Sequence, residues 1–229
     1  MRYFCIVVLS VCLVACGGSA PAWERVCDSE GVSTIIVGET TFQISSKVQG
    51  AYLNGNGPLL GNLSEQERTN TRICPSSDGQ PVLARQISFF SMEVRDKAGD
   101  DVRLPVDVRI SNSPDASADL YELRNWSAFE FQDAGEGFRS TSNGSVGMGA
   151  AEVFVNETAS LKTPKGNPVM FGCYYGQYKR GRNCFTWWSD GAEVLYEYDF
   201  YDGDIPRSEW LSLHERIVET IQKFNTLDQ

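Results

Sequence analysis

The chain predicts an α+β fold, mainly antiparallel β, ending in a β-β-β-α unit whose amphipathic helix packs on the sheet. Three observations predict it. Val102, Leu104, Val106, Val108 and Ile110 alternate with Arg103, Pro105, Asp107 and Arg109, the period of a strand with one buried face. Between Met170 and Phe200, three apolar and aromatic runs are separated by turn residues. Trp210, Leu213, Ile217, Ile221 and Phe224 then recur at helical spacing, with Leu211 and Val218 widening the stripe.

From the front, Thr34–Val37 and Thr40–Ile44 flank Gly38-Glu39, a two-residue connection with glycine first, as a type II′ hairpin prefers. Residues 49–81 are rich in Gly, Asn, Ser and Pro and read as loop, with one helical turn near Glu65–Arg68. Val82–Val94 reads as one long strand. The alternating strand after it carries Pro105, which has no amide to donate, so it is expected at a sheet edge. Ser111–Asp119 reads as a polar linker and Trp126–Phe131 as a short strand, while Ser140–Gly149 has the composition of a loop between two halves.

In the last third, Asp190-Gly191 signals a two-residue turn that would set Trp187 opposite Val194 and Phe185 opposite Tyr196. Pairing Cys173 with Cys184 on the preceding strands sets Phe171 opposite Thr186. Parity then places Met170, Phe185, Trp187, Val194, Tyr196, Tyr198 and Phe200 on one face, with Phe171, both cysteines, Trp188 and Leu195 on the other. The face bearing Phe185, Trp187 and Tyr196 is expected to receive the helix, whose first turn holds Pro206. His214, the one histidine, falls beside the apolar stripe as a packing residue.

The amino terminus is an address. Arg2 precedes a twelve-residue apolar run, Tyr3–Val14, too short to span roughly 30 Å of hydrocarbon. Leu13-Val14-Ala15-Cys16 resembles the lipobox of bacterial lipoproteins, and the resemblance implies cleavage before Cys16 and lipidation of its thiol. The competing reading is a plain leader cut after Ala20 or Ala22, a site interrupted by Pro21. With Gly17 rather than aspartate after the cysteine, the resemblance implies an outer-membrane anchor facing the periplasm. The resemblance gives a signal peptide over 1–15 and a lipidated tether over 16–23; composition and patterning divide the rest into a β-rich half over 24–139, a flexible loop over 140–150 and an α+β half over 151–229.

Of seven cysteines, Cys5 and Cys12 would leave with the leader and Cys16 would carry lipid. Cys27, Cys74, Cys173 and Cys184 remain, and in an oxidising compartment they read as two disulfides. Three pairings are possible. Proximity and the hairpin register favour Cys173 with Cys184, which leaves Cys27 with Cys74. No two of them have the short spacing of a zinc site, so no metal is expected.

Net charge is −10, and −11 once Arg2 is removed, which argues against nucleic acid as a partner. With no Gly-rich phosphate loop, no serine-nucleophile elbow and a single histidine, no cofactor and no catalytic set is expected. Asp199–Asp204 offers oxygen atoms but not the spacing of a known calcium loop, and reads as a solvated connection. The binding feature is the hairpin tip Tyr178, Lys179, Arg180 and Arg182, three basic residues in an acidic chain beside a disulfide.

The segment from Tyr196 to Phe224 is similar in pattern to the lipoprotein immunity proteins that neutralise periplasm-acting type VI secretion effectors. That similarity implies an inhibitor of a secreted toxin; it has no diagnostic motif, so it transfers no residue roles. An envelope accessory lipoprotein supporting assembly of an outer-membrane or cell-wall complex is the alternative.

Overall fold

The computed structural model describes residues 30–48, 51–54, 71–75, 79–95, 101–112, 119–122, 126, 129–141, 150–174, 179–190 and 194–225. Within them the α+β class is borne out: strands in antiparallel sheets, one parallel pair, and a single C-terminal helix against the sheet.

The first hairpin follows its sequence. β1 (Val32–Val37) pairs with β2 (Thr40–Ser45), and Gly38 takes φ 59°, the left-handed value that the first central position of this turn requires. Ile35, Val37, Phe42 and Ile44 alternate inward from the two strands.

β3 (Ala51–Asn54) and β4 (Thr71–Arg72) form within the stretch expected to be loop; the helical turn near Glu65 lies outside the described residues. The expected long strand over Val82–Val94 is three pieces: β5 (Val82–Leu83), β6 (Gln86–Phe89) and β7 (Glu93–Arg95). β5 runs parallel to β1 in a three-stranded sheet, whereas β6 joins the large sheet, so the chain changes sheets between them. Ser91 then breaks the run with φ 52°.

The next alternation divides at Pro105 into β8 (Asp101–Arg103) and β9 (Val106–Asn112). β9 is not an edge strand. It lies inside the sheet between β6 and β15 (Val194–Tyr201), because the proline falls just before the ladder begins and removes no bond from it. The polar linker therefore starts after Asn112; residues 113–118 lie outside the described residues, and Asp119 is buried.

Of the expected strand over Trp126–Phe131, the described residues 126 and 129–131 are not in a strand; Trp126, Phe129 and Phe131 pack over the sheet, and residues 127 and 128 lie outside the described residues. β10 (Gln132–Gly135) and β11 (Phe138–Thr141) make the next hairpin, followed by β12 (Ala150–Val155), β13 (Met170–Tyr174) and β14 (Asn183–Ser189). Residues 142–149, most of the expected loop, lie outside the described residues. The large sheet runs in the order β10-β11-β12-β13-β14-β15-β9-β6-β3-β4.

Cys184 lies opposite Cys173, as the sequence predicts, and the two form a disulfide. Closing a loop of this length stabilises by about 3 kcal/mol in the chain-entropy account. The next register differs. Trp187 pairs with Glu197 and Phe185 with Asp199, three residues away from the two-residue-turn expectation. Asp190 is not a turn corner but accepts a hydrogen bond from the Tyr196 hydroxyl at 2.6 Å, and the connection is longer. An odd slip inverts one strand against its neighbour. Phe171, the cysteines and Trp188 therefore share a face with Val194, Tyr196, Tyr198 and Phe200, while Met170, Phe185 and Trp187 point the other way.

The helix, α1 (Trp210–Asn225), covers the first of those faces rather than the Phe185/Trp187 face. Pro206 precedes a 3-10 turn over Arg207–Glu209 instead of sitting in the helix itself. Trp210 anchors the packing: its ring lies 5.2 Å from those of Phe154 and Phe171 and 5.4 Å from that of Phe200, and its indole N–H donates to the Ile205 carbonyl. His214 is buried against Trp188, and burial lowers its pKa to about 3, so its imidazole is neutral. Leu213, Ile217 and Ile221 complete a core shared with β1 and β2.

Candidate functional site

With the helix on one side, the other side of the large sheet divides into a covered part and an open part. Residues 119–122, Trp126 and 129–131 cover β12, β13 and the near edge of β14. Asp119 pins this cover: its buried carboxylate accepts from Thr163 Oγ1, from Asn167 Nδ2 at 3.0 Å and from the Ser189 amide at 3.0 Å. Glu122 binds Lys165 at 2.9 Å, and that bond holds its carboxyl below the usual range. Leu120, Trp126, Val153, Val155, Met170 and Phe185 form a second small core beneath.

The open part begins where the cover ends. Phe185 lies across Gly172, where an added Cβ would stand 2.6 Å from the ring, so glycine permits the approach. Phe185 stacks on Trp187 at 5.5 Å and meets Tyr174 at 4.8 Å, and both Tyr174 and Trp187 are half-buried. Continuing across the ladder, Trp187 faces Glu197, Glu197 faces Arg109 and Arg109 faces Ser88. In the parallel row, Phe185 faces Asp199, which faces Asp107. One nitrogen of Arg109, Nη2, donates to Glu197 at 2.6 Å and to Asp199 at 2.8 Å.

Burial lifts the Asp199 carboxyl to about 6; Arg109 opposes the shift, while Asp107 and Glu197 add to it. Tyr174 is raised by burial and by the fields of Glu197 and Asp199, so the aromatic and acidic parts are electrostatically one surface. A recess of about 290 Å³ adjoins it, lined by Gln86, Ser88, Phe90, Asp107 and Arg109 among others. Rings, carboxylates and a recess suit recognition of another molecule. His214 is under the helix on the opposite face.

The residues singled out from sequence fall elsewhere. Cys16, Cys27 and Tyr178 lie outside the described residues, and Cys74 is disulfide-bonded. Lys179 and Arg180 are exposed, but Arg180 pairs with Asp204 and lies 4.9 Å over the Tyr201 ring. Arg182 pairs with Glu152 and with Asp202, the latter at 2.8 Å. Burial works against its charge, yet the bonds to Asp202 and Glu152 hold it more firmly protonated than usual. The acidic run after β15 is thus the counterpart of the basic tip, and the two neutralise each other. Among the described residues no His, Cys, Asp and Glu group could hold a metal ion.

Sequence reading missed the Arg109, Glu197 and Asp199 face, although its signal is present. Glu197 and Asp199 alternate with Tyr196, Tyr198 and Phe200, just as Asp107 and Arg109 alternate with Val106 and Val108. Only the register says that these polar parities meet.

The fold and this face define an antiparallel α+β protein with one helix-covered side and one partly open, aromatic and acidic side. Comparison with known proteins finds no matching family model, no matching curated protein and no matching solved structure.

Proposed function

We propose that this chain is a lipid-anchored periplasmic binding protein that neutralises a secreted toxin acting in the periplasm. The observation that carries the binding reading is the open side of the sheet, where half-buried Tyr174 and Trp187 sit beside Glu197, Asp199 and Arg109 at mid-sheet. Such a mixture of rigid rings and charge is the composition of a protein–protein hot spot. The anchor rests on Leu13-Val14-Ala15-Cys16, and it would hold the protein at the outer membrane on its periplasmic face. No helix among the described residues is long and apolar enough to cross a membrane. The role proposed is stoichiometric inhibition, with no cofactor and no catalytic residue assigned.

The test is a pull-down of the full mature chain from envelope and secreted fractions, washed at high salt. One stoichiometric toxin, whose activity falls on binding, is the expected recovery. Recovery of assembly proteins or peptidoglycan-linked components alone would replace this reading with an envelope accessory role.

A further inference from the structure

We infer that the open face of the large sheet docks a basic segment of the protein partner, with a lysine or arginine side chain entering beside Asp107 and Asp199 and lying along Trp187. This rests on the binding reading above and names the partner's chemistry at that surface.

The argument is one of charge complementarity on an uncovered sheet face. Asp107 stands directly opposite Asp199 in the ladder, and like charges so placed are destabilising unless a cation intervenes. Among the described residues Arg109 is the cation paired with these acids, but its Nη2 is already shared between Glu197 and Asp199. Three carboxylates with one guanidinium leave a local charge of −2 by formal count. The acidic cluster at the hairpin tip is closer to balance: Glu152, Asp202 and Asp204 are met by Arg180 and Arg182. Of these two clusters, the open face is the one where an incoming cation gains more.

The aromatic part determines what kind of cation. Half-buried Trp187 lies parallel to the buried Phe185 ring, at 3° between planes, and is thereby held as a rigid π surface next to the carboxylates. A cation on a hydrocarbon stem satisfies both parts, its methylenes on the rings and its charged head among the oxygens. A bare metal ion would leave the rings unused. The adjoining recess, with Gln86, Ser88 and Phe90 in its wall, takes a side chain from a flanking residue. Burial is the main cause of the raised Asp199 carboxyl, and the fields of Asp107 and Glu197 add to it, as the crowding of acids here requires.

The probe is acetyl-Gly-Lys-Leu-Lys-Gly-amide, titrated into the isotope-labelled mature chain and compared with the same peptide acetylated on both lysines. The Trp187 indole resonance is expected to move saturably with the basic peptide and not with the acetylated one. Asp199→Asn combined with Glu197→Gln is expected to weaken binding at least tenfold, while Glu209→Gln, an exposed acid ahead of the helix, leaves it unchanged. No saturable shift at Trp187, or an equal loss from Glu209→Gln, would overturn the inference. The two readings separate on the captured toxin. If it binds the double variant as well as the parent, the docking face is wrong and the inhibitor role stands. If the peptide binds at Trp187 but no toxin is ever captured, the surface stands and the inhibitor role falls.

Discussion

The two sides of the large sheet differ in how they treat charge. Under the helix, Trp188, Tyr198, Phe200 and Trp210 exclude water so fully that the imidazole among them, His214, stays neutral to about pH 3. On the open side, the alternate residues of the same strands carry Asp107, Arg109, Glu197 and Asp199, half in water and imperfectly balanced. Stability thus rests on the helix side, and the proposed recognition chemistry falls on the other. Substitutions should separate accordingly.

Truncating one tryptophan from each side should produce the largest difference between them. Trp210→Ala removes a ring that touches Phe138, Phe154, Phe171 and Phe200, and is expected to cost about 3–5 kcal/mol in chemical denaturation. Trp187→Ala, half-buried at the edge of the smaller core, should cost less than about 1.5 kcal/mol yet abolish partner capture. Equal losses of stability would show that the open side is structural.

Acid sharpens the helix side. The folded chain binds no proton at His214 until about pH 3, whereas the unfolded chain binds one near 6.5. The stability this confers is complete above the unfolded value and is lost as pH falls towards the folded one, at about 1.4 kcal/mol per pH unit. At pH 5 the loss is about 2 kcal/mol. A His214→Phe variant of similar size should lack that part of the slope, and the difference between the two denaturation series isolates it from the carboxylates.

How much of this was legible depends on the range of the signal. The β1–β2 hairpin was readable because Gly38-Glu39 closes it locally, and the helix because its stripe is its own record. The Cys173–Cys184 pair was readable because eleven residues and one turn separate it. What failed depended on longer connections. Val82–Val94 carries no mark that it changes sheets, and Trp126, Phe129 and Phe131, residue types that favour strands, instead pack as a cover over another strand set. The decisive failure was the β14–β15 register. Asp190-Gly191 has the composition of a tight turn, but Tyr196 recruits the Asp190 carboxylate, and a slip of three residues exchanges the faces. Because the candidate site consists of what two strands place side by side, an error of one parity hides it entirely, even with every residue type in view.

The smallest effect is the most diagnostic of the open side. Asp199 titrates near 6 when folded against 3.8 ordinarily, because burial, Asp107 and Glu197 outweigh the help of Arg109. Its sign is opposite to that of His214. The folded state holds the proton more tightly, so the penalty is absent below about pH 4, grows between 4 and 6, and is full above 6. Asp199→Asn removes it and is expected to raise stability at pH 7.5 by roughly 1–2 kcal/mol, less than the full shift implies because the amide forfeits the ionic bond to Arg109. At pH 4 the variant and the parent should be nearly equal. A residue whose replacement strengthens the fold at neutral pH while weakening partner capture is retained for what it binds, and stability measured alongside capture would show both signs in one protein. If Asp199→Asn instead destabilised at pH 7.5, the Arg109 bridge would be a structural element, and the division of labour between the two faces would fail at its centre.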